Sequence, residues 1–205
     1  MLLTLLNFVK YTGAITIDGV NVSTIPRAQL RQIITTIPQE AVDIPGTVYD
    51  SLLPFELLSG SERHEGLSVM RMLKAVGLLD HVEARGGIHQ PVELMEFSAG
   101  QRQLLGLARA MLHQEKNNTK IVLMDEAISN VDDDTAKKMQ QVMYKAFQNC
   151  TMLVVAHKSI PKSDCDKEVE FEDGRLVCLV RQATSLARRE GEEPLRNRRT
   201  VLSLE

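Results

Sequence analysis

At 205 residues, 43% of them hydrophobic, the chain is long enough for one compact domain with a sizeable core, or for one with a small lobe attached. A net charge of -3 and a pI near 6.0 give no electrostatic reason to expect nucleic acid as a partner. The 3 cysteines, Cys150, Cys165 and Cys178, have no metal-ligand spacing, and the N-terminus lacks the regions of a signal peptide, so a reducing, cytoplasmic compartment is expected. No apolar run approaches the ~18 residues that span a bilayer; Leu2–Leu6 is broken by Thr4 and stops at Asn7. Any membrane role has to come through a partner or another segment.

Taken in order, Leu2–Val9 is apolar almost all round and predicts a buried helix that arrives without its own cap. Tyr11-Thr12-Gly13 makes a turn. Ala14–Asp18 then alternates, with Ile15 and Ile17 on one side, and ends in an Asp18-Gly19 hairpin signal, which predicts a small antiparallel β portion. Pro26, following Ser23 and Thr24, opens a short helix through Arg31, and β-branched Ile33–Ile37 predicts a strand delivering Pro38 and Gln39. By itself Gln39 reads as a loop glutamine bound to water. From Tyr49 to Gly87 the pattern is helical, with Leu67, Met70, Met72, Leu73 and Val76 apolar and a break at Gly77, followed by a loop through Pro91. His64, His81 and His89 lie in this region without metal-ligand spacing and read as surface residues.

The most informative stretch runs from Phe97 to Asp132. Ser98 and Gln101 have the spacing of a capping box, so a helix should start at Ala99. Leu104, Leu107, Ala108 and Met111, flanked by Leu105 and Leu112, form an apolar stripe that leaves Arg102 and Arg109 elsewhere. Ala99 and Gly100 leave main-chain N–H groups uncovered at the positive end of the helix dipole, an end that accepts a phosphate. After an Asn117-Asn118 turn, the continuous apolar run Ile121–Met124 suits a parallel strand buried on both faces. Asp125 and Glu126 then stand at its carboxyl end, where open α/β sheets bind ligands and where paired carboxylates can hold Mg²⁺ and prepare a water.

Asp132–Asp134 place negative charge at the first turn of the next helix, whose buried stripe is Met139, Val142, Met143, Ala146 and Phe147. Met152–Ala156 is another apolar strand, ending at His157. Strand, helix, strand in this length is a right-handed βαβ unit, which brings His157 to the sheet edge that carries Asp125 and Glu126. Val169–Val177 is a hairpin around Asp173-Gly174. The mixed-charge run after Arg181 and through Arg199 has little to bury and reads as fraying, within a charged C-terminal tail over 181–205.

Each piece has an ordinary structural reading, but their order and spacing are less common. Ser98-Ala99-Gly100-Gln101-Arg102-Gln103 resembles the signature motif of ATP-binding-cassette (ABC) ATPases, and Ile121–Glu126 resembles their Walker B strand. Ser129-Asn130-Val131-Asp132 matches the D-loop, His157 the switch histidine and Gln39 the Q-loop glutamine. Ile44–Val48 is similar to the segment after the Q-loop in multidrug-resistance-associated (C subfamily) transporters. Ala99 replaces the commoner glycine and Phe97 the commoner leucine, the former as in the second nucleotide-binding domain of C-subfamily exporters.

The resemblance implies an α/β, P-loop NTPase fold over 1–180, with a helical lobe at about 47–115. No Gly-Lys pair occurs in the sequence, so the chain reads as a domain cut just after its Walker A loop. It implies ATP and Mg²⁺ as cofactors, with Asp125 holding the metal with help from Gln39, Glu126 polarising the attacking water and His157 steadying the γ-phosphate. Ser98, Gly100 and Gln101 would bind the γ-phosphate of a nucleotide held by a second nucleotide-binding domain in a head-to-tail sandwich, and Asp132 is a further nucleotide-binding residue by the same resemblance. Transmembrane domains would then tie the chain to the cytoplasmic face of a membrane. Two rivals remain: a non-catalytic module that pairs with a complete domain, and a soluble ABC-type ATPase acting on ribosomes or DNA.

Overall fold

In a computed structural model of the chain, the described residues are 2–54, 66–127, 131–156, 166–172, 175–181 and 199–204. Their centre is a sheet of β3 (Ile34–Ile37), β4 (Ile121–Asp125), β5 (Thr151–Ala156), β6 (Lys167–Glu172), β7 (Arg175–Arg181) and β8 (Arg199–Leu204), in the order β3-β4-β5-β8-β6-β7. All neighbours pair in parallel except β6 with β7, which form the predicted hairpin. A separate antiparallel pair, β1 (Thr16–Ile17) and β2 (Val20–Asn21), turns at Asp18 and Gly19. Both turn residues have positive φ, 49° and 81°, as the mirror-image turn of a tight hairpin requires.

The apolar run in β4 is buried on both faces, as its composition predicts. Val122 and Met124 join the main core, whereas Ile121 and Leu123 pack with a second cluster of Val22, Leu30 and Ile34. The main core lies between the sheet and the helices α3 (Val48–Leu52), α4 (Gly66–Val76), α5 (Leu79–Glu83), α6 (Ala99–Asn117) and α7 (Asp133–Ala146). Of these α6 is central, touching β3, α3, α4 and α7. Leu104, Leu105, Leu107, Ala108, Met111 and Leu112 are all buried, each large side chain contributing about 1.5–3 kcal/mol. Met139, Met143 and Phe147 bury the inner face of α7.

One expectation is corrected. The N-terminal helix α1 covers only Leu2–Leu5 and buries no residue completely. Asn7 turns the chain with φ 57°, which leaves Phe8 and Val9 half exposed while Leu2, Leu5 and Leu6 lean on the second cluster. In α4 the buried stripe is Val69, Met72, Leu73 and Val76, spaced i, i+3, i+4 and i+7. Leu67, off that face, is 80% exposed, and Met70 points outward as well. β8 lies inside the sheet between β5 and β6, so the register of two parallel neighbours fixes it.

α2 (Arg27–Ile33) follows Pro26 as predicted and runs directly into β3. α3 has a capping box, Thr47 with Asp50, that periodicity alone did not reveal.

Candidate functional site

Because β3, β4 and β5 are parallel and adjacent, their carboxyl ends share one edge of the sheet. Gln39 follows β3, Asp125 ends β4 and Glu126 comes directly after it. Glu126 has φ 42°, a conformation that costs a non-glycine residue energy, and its N–H bonds to the carbonyl of Val155 at 3.0 Å. The last pairing of β4 thus extends one residue into the site and fixes the backbone from which the carboxylate projects. The Gln39 amide donates to Glu126 Oε2 at 3.4 Å. So the loop after β3 and the end of β4 meet through the residues that the motifs picked out. Asp125 is half buried and pairs in register with Val155. His157 follows β5 but lies outside the described residues, as do Ser129 and Asn130.

Two carboxylates and a side-chain amide are hard oxygen donors, the type that Mg²⁺ takes when phosphate and water complete its shell. Among the described residues, no group of three or more His, Cys, Asp and Glu side chains could hold a metal ion. The chemistry of this donor set is compatible with Mg²⁺.

A second group forms at helix N-termini. Ser98 caps α6: its N–H donates to Gln101 Oε1 at 2.9 Å, and its Oγ accepts from Gln101 N–H at 3.2 Å. Asp132 caps α7, accepting from the Thr135 N–H at 2.9 Å and from the Thr135 hydroxyl at 2.7 Å. These bonds hold its carboxyl below the usual range. A Cβ placed on Gly100 would stand 3.4 Å from Thr135 Cγ2 and 3.8 Å from Asp132 Oδ2. Gly100 and Asp132 thereby lie close together, with two helix N-termini converging.

Three contacts lie beyond what the motifs indicated. Gln103 is buried beside the apolar stripe of α6, and its amide donates to the main-chain carbonyl of Gln39, linking the two groups. Its position as the one amide among leucines was the available signal. Arg109, read as lying off the stripe, is half buried and donates to the carbonyls of Ser51 at 2.7 Å and Val42 at 3.1 Å. Burial lowers its pKa, with nearby Asp43 acting in the opposite direction. His81, expected at the surface, is half buried behind the signature turn, and only its tertiary partners show this.

The model of the family described as ABC transporter matches residues 1–129, more than half of the chain. The ATP-binding cassette transporter abc1 of Schizosaccharomyces pombe is 36% identical over 187 residues, covering 85% of this chain and 12% of that protein. ABC multidrug transporter B of Aspergillus fumigatus is 36% identical over 166 residues, 81% of this chain and 11% of the relative. ABC transporter C family member 14 of Dictyostelium discoideum is 32% identical over 170 residues, 80% and 12% respectively. The chain thus spans about an eighth of the length of these relatives. No helix among the described residues is long and apolar enough to cross a membrane. With the motifs placed on one sheet edge and on two adjoining helix ends, the chain belongs to the ABC transporter family and is an ATP-binding domain of that type.

Proposed function

We propose that this chain is part of the ATP-hydrolysing engine of an ABC-type membrane exporter, working at the cytoplasmic face through transmembrane domains and a second nucleotide-binding domain. The observation that carries this reading is the Gln39–Glu126 contact at the carboxyl edge of the sheet, with Asp125 next to it. Mg²⁺ would supply charge neutralisation on the phosphates, and Asp125, with Gln39, would hold it through oxygen ligands. Glu126 takes the role of general base, oriented by Gln39 and by its own backbone bond to Val155. His157 would contact the γ-phosphate. Ser98, Gly100, Gln101 and Asp132 lie at helix N-termini and would face a phosphate held by the partner domain. Transport as the coupled process is supported by the transporters among the relatives.

These 205 residues contain no Gly-Lys pair, so the lysine and backbone cradle for the β and γ phosphates must come from elsewhere. The chain by itself should bind ATP weakly. Extended upstream with a Walker A loop, it should hydrolyse ATP in a Mg²⁺-dependent way. Glu126→Gln should slow that hydrolysis by about 10² to 10⁴, the usual worth of a positioned base, with binding retained. Equal turnover after the substitution would remove Glu126 from the role. A second reading, a non-catalytic module that completes a partner's site, is favoured by the intact cap of α6, which forms without any phosphate loop.

A further inference from the structure

His81 joins three pieces of the chain that meet behind Ser98. Its Nε2 lies 2.7 Å from the carbonyl of Met95, and its Nδ1 lies 3.4 Å from Gln101 Nε2 and 3.3 Å from Arg85 Nη1. The ring stacks on Phe97, with centroids 5.2 Å apart and planes 25° from parallel. These partners leave one assignment. A carbonyl only accepts, so Nε2 carries the hydrogen; a guanidinium only donates, so Nδ1 is the acceptor. Nδ1 then takes a hydrogen from the Gln101 amide nitrogen, which turns Gln101 Oε1 toward the Ser98 N–H, 2.9 Å away. With the amide reversed, an NH₂ would face the Ser98 N–H and an oxygen would face Nδ1, losing both contacts.

We propose that His81, as the Nε2–H tautomer, is a positioning residue for the signature turn: it sets the orientation of the Gln101 amide and so closes the capping box at Ser98. At the same time Nε2–H anchors Met95, the residue before Glu96, whose left-handed backbone (φ 48°) reverses the chain into Phe97 and Ser98. α5 therefore fixes both the approach to the helix N-terminus and its cap. Any consequence for nucleotide rests on the phosphate contact proposed above for Ser98.

The test separates the two. Long-range ¹H–¹⁵N spectra of the full chain, taken above the imidazole titration range, should show His81 with its hydrogen on Nε2. Amide exchange at Ser98 is then compared across three variants. His81→Gln keeps a donor for Met95, His81→Asn keeps an acceptor near Nδ1, and His81→Phe keeps the ring stack. Ser98 exchange should rise about tenfold in the Gln and Phe variants, the effect of one modest hydrogen bond, and less than about threefold in the Asn variant. An Nδ1–H tautomer, or unchanged Ser98 exchange in the Gln variant, overturns the proposal. If the Phe variant does not fold, the wild-type spectrum and the Gln and Asn pair still decide. Capture of the chain by a complete ABC ATPase domain with ATP should weaken about tenfold in the Gln variant. A loosened cap with unchanged capture would support the positioning role and overturn the phosphate contact of Ser98 instead.

Discussion

The side-chain amide of Gln103 donates to the main-chain carbonyl of Gln39, tying α6 to the loop after β3 across 64 positions of sequence. Gln39 in turn reaches Glu126, so the helix that carries the signature and the carboxylate at the end of β4 are two hydrogen bonds apart.

Replacing Gln103 with Leu should therefore do more to Gln39 than to the fold. The new side chain is apolar and of similar size in a buried site, and the freed carbonyl belongs to an exposed residue that water can reach. We expect a loss of about 1 kcal/mol in urea unfolding, the net worth of one hydrogen bond. Backbone NMR signals of Gln39 and Glu126 should shift together. Unmoved Glu126 signals would show that the link does not transmit.

Gly100 gives a sharper separation of stability from function. The space for a Cβ there ends in ordinary contact with Thr135 at 3.4 Å, and alanine favours a helix over glycine by up to about 1 kcal/mol. Gly100→Ala should leave the melting temperature unchanged or slightly raised, whereas Ser98→Ala should cost about 1 kcal/mol by removing the cap. If the α6 N-terminus contacts a partner's phosphate, Gly100→Ala should nonetheless weaken ATP-dependent association with a complete domain, because the methyl group crowds the main-chain N–H groups. Association as strong as wild type would argue against that contact.

Local rules made much of this legible. The capping box at Ser98, the hairpin turn at Asp18-Gly19 and the doubly buried strand β4 depend on residues at most four apart or on composition, and all three appear as read. What stayed hidden depends on tertiary pairing. Nothing local tells that Arg109 will reach Ser51 and Val42, that His81 will stack on Phe97, or that β8 will find a slot between β5 and β6. Nor does apolar character alone tell which residues of α4 face the core: Leu67 and Met70 lie outside its buried stripe.

A buried polar cluster on the far side of β3 predicts a pH response. The Thr35 hydroxyl bonds His113 Nδ1 at 2.9 Å and the Thr119 hydroxyl at 2.7 Å. Burial lowers the His113 pKa from 6.5, with a bond to the Arg31 backbone acting in the opposite direction. Above about pH 6.5 both folded and unfolded chains hold this residue neutral, and it adds no slope. Below that, the unfolded chain takes up its proton first, so stability falls with pH until the folded-state value is passed. His113→Gln should flatten this part of a stability-against-pH curve. Thr35→Val should cost about 1–3 kcal/mol across the range, because it leaves the buried Thr119 hydroxyl and the half-buried His113 ring without this partner. Chemical denaturation between about pH 5 and pH 8 checks both, and a slope untouched by His113→Gln would assign it to another group.

The last prediction concerns β8. Arg199–Leu204 pairs in parallel with β5 on one side, from Met152↔Arg199 to Ala156↔Ser203, and with β6 on the other, from Lys167↔Thr200 to Phe171↔Leu204. A strand at the C-terminal end of the chain thus holds two parts of the sheet together, β3-β4-β5 and β6-β7. Ending the chain at residue 198 would leave β5 and β6 with open edges, the feature that templates pairing between molecules. We expect that shortened chain to melt at lower temperature and to form soluble oligomers by light scattering. Val201→Pro offers a version without truncation. With partners on both sides, β8 has no solvent-facing N–H side where proline is tolerated, so the substitution should cost about 3 kcal/mol. A shortened chain that stays monomeric with an unchanged melt would show that β5 and β6 do not need β8 between them.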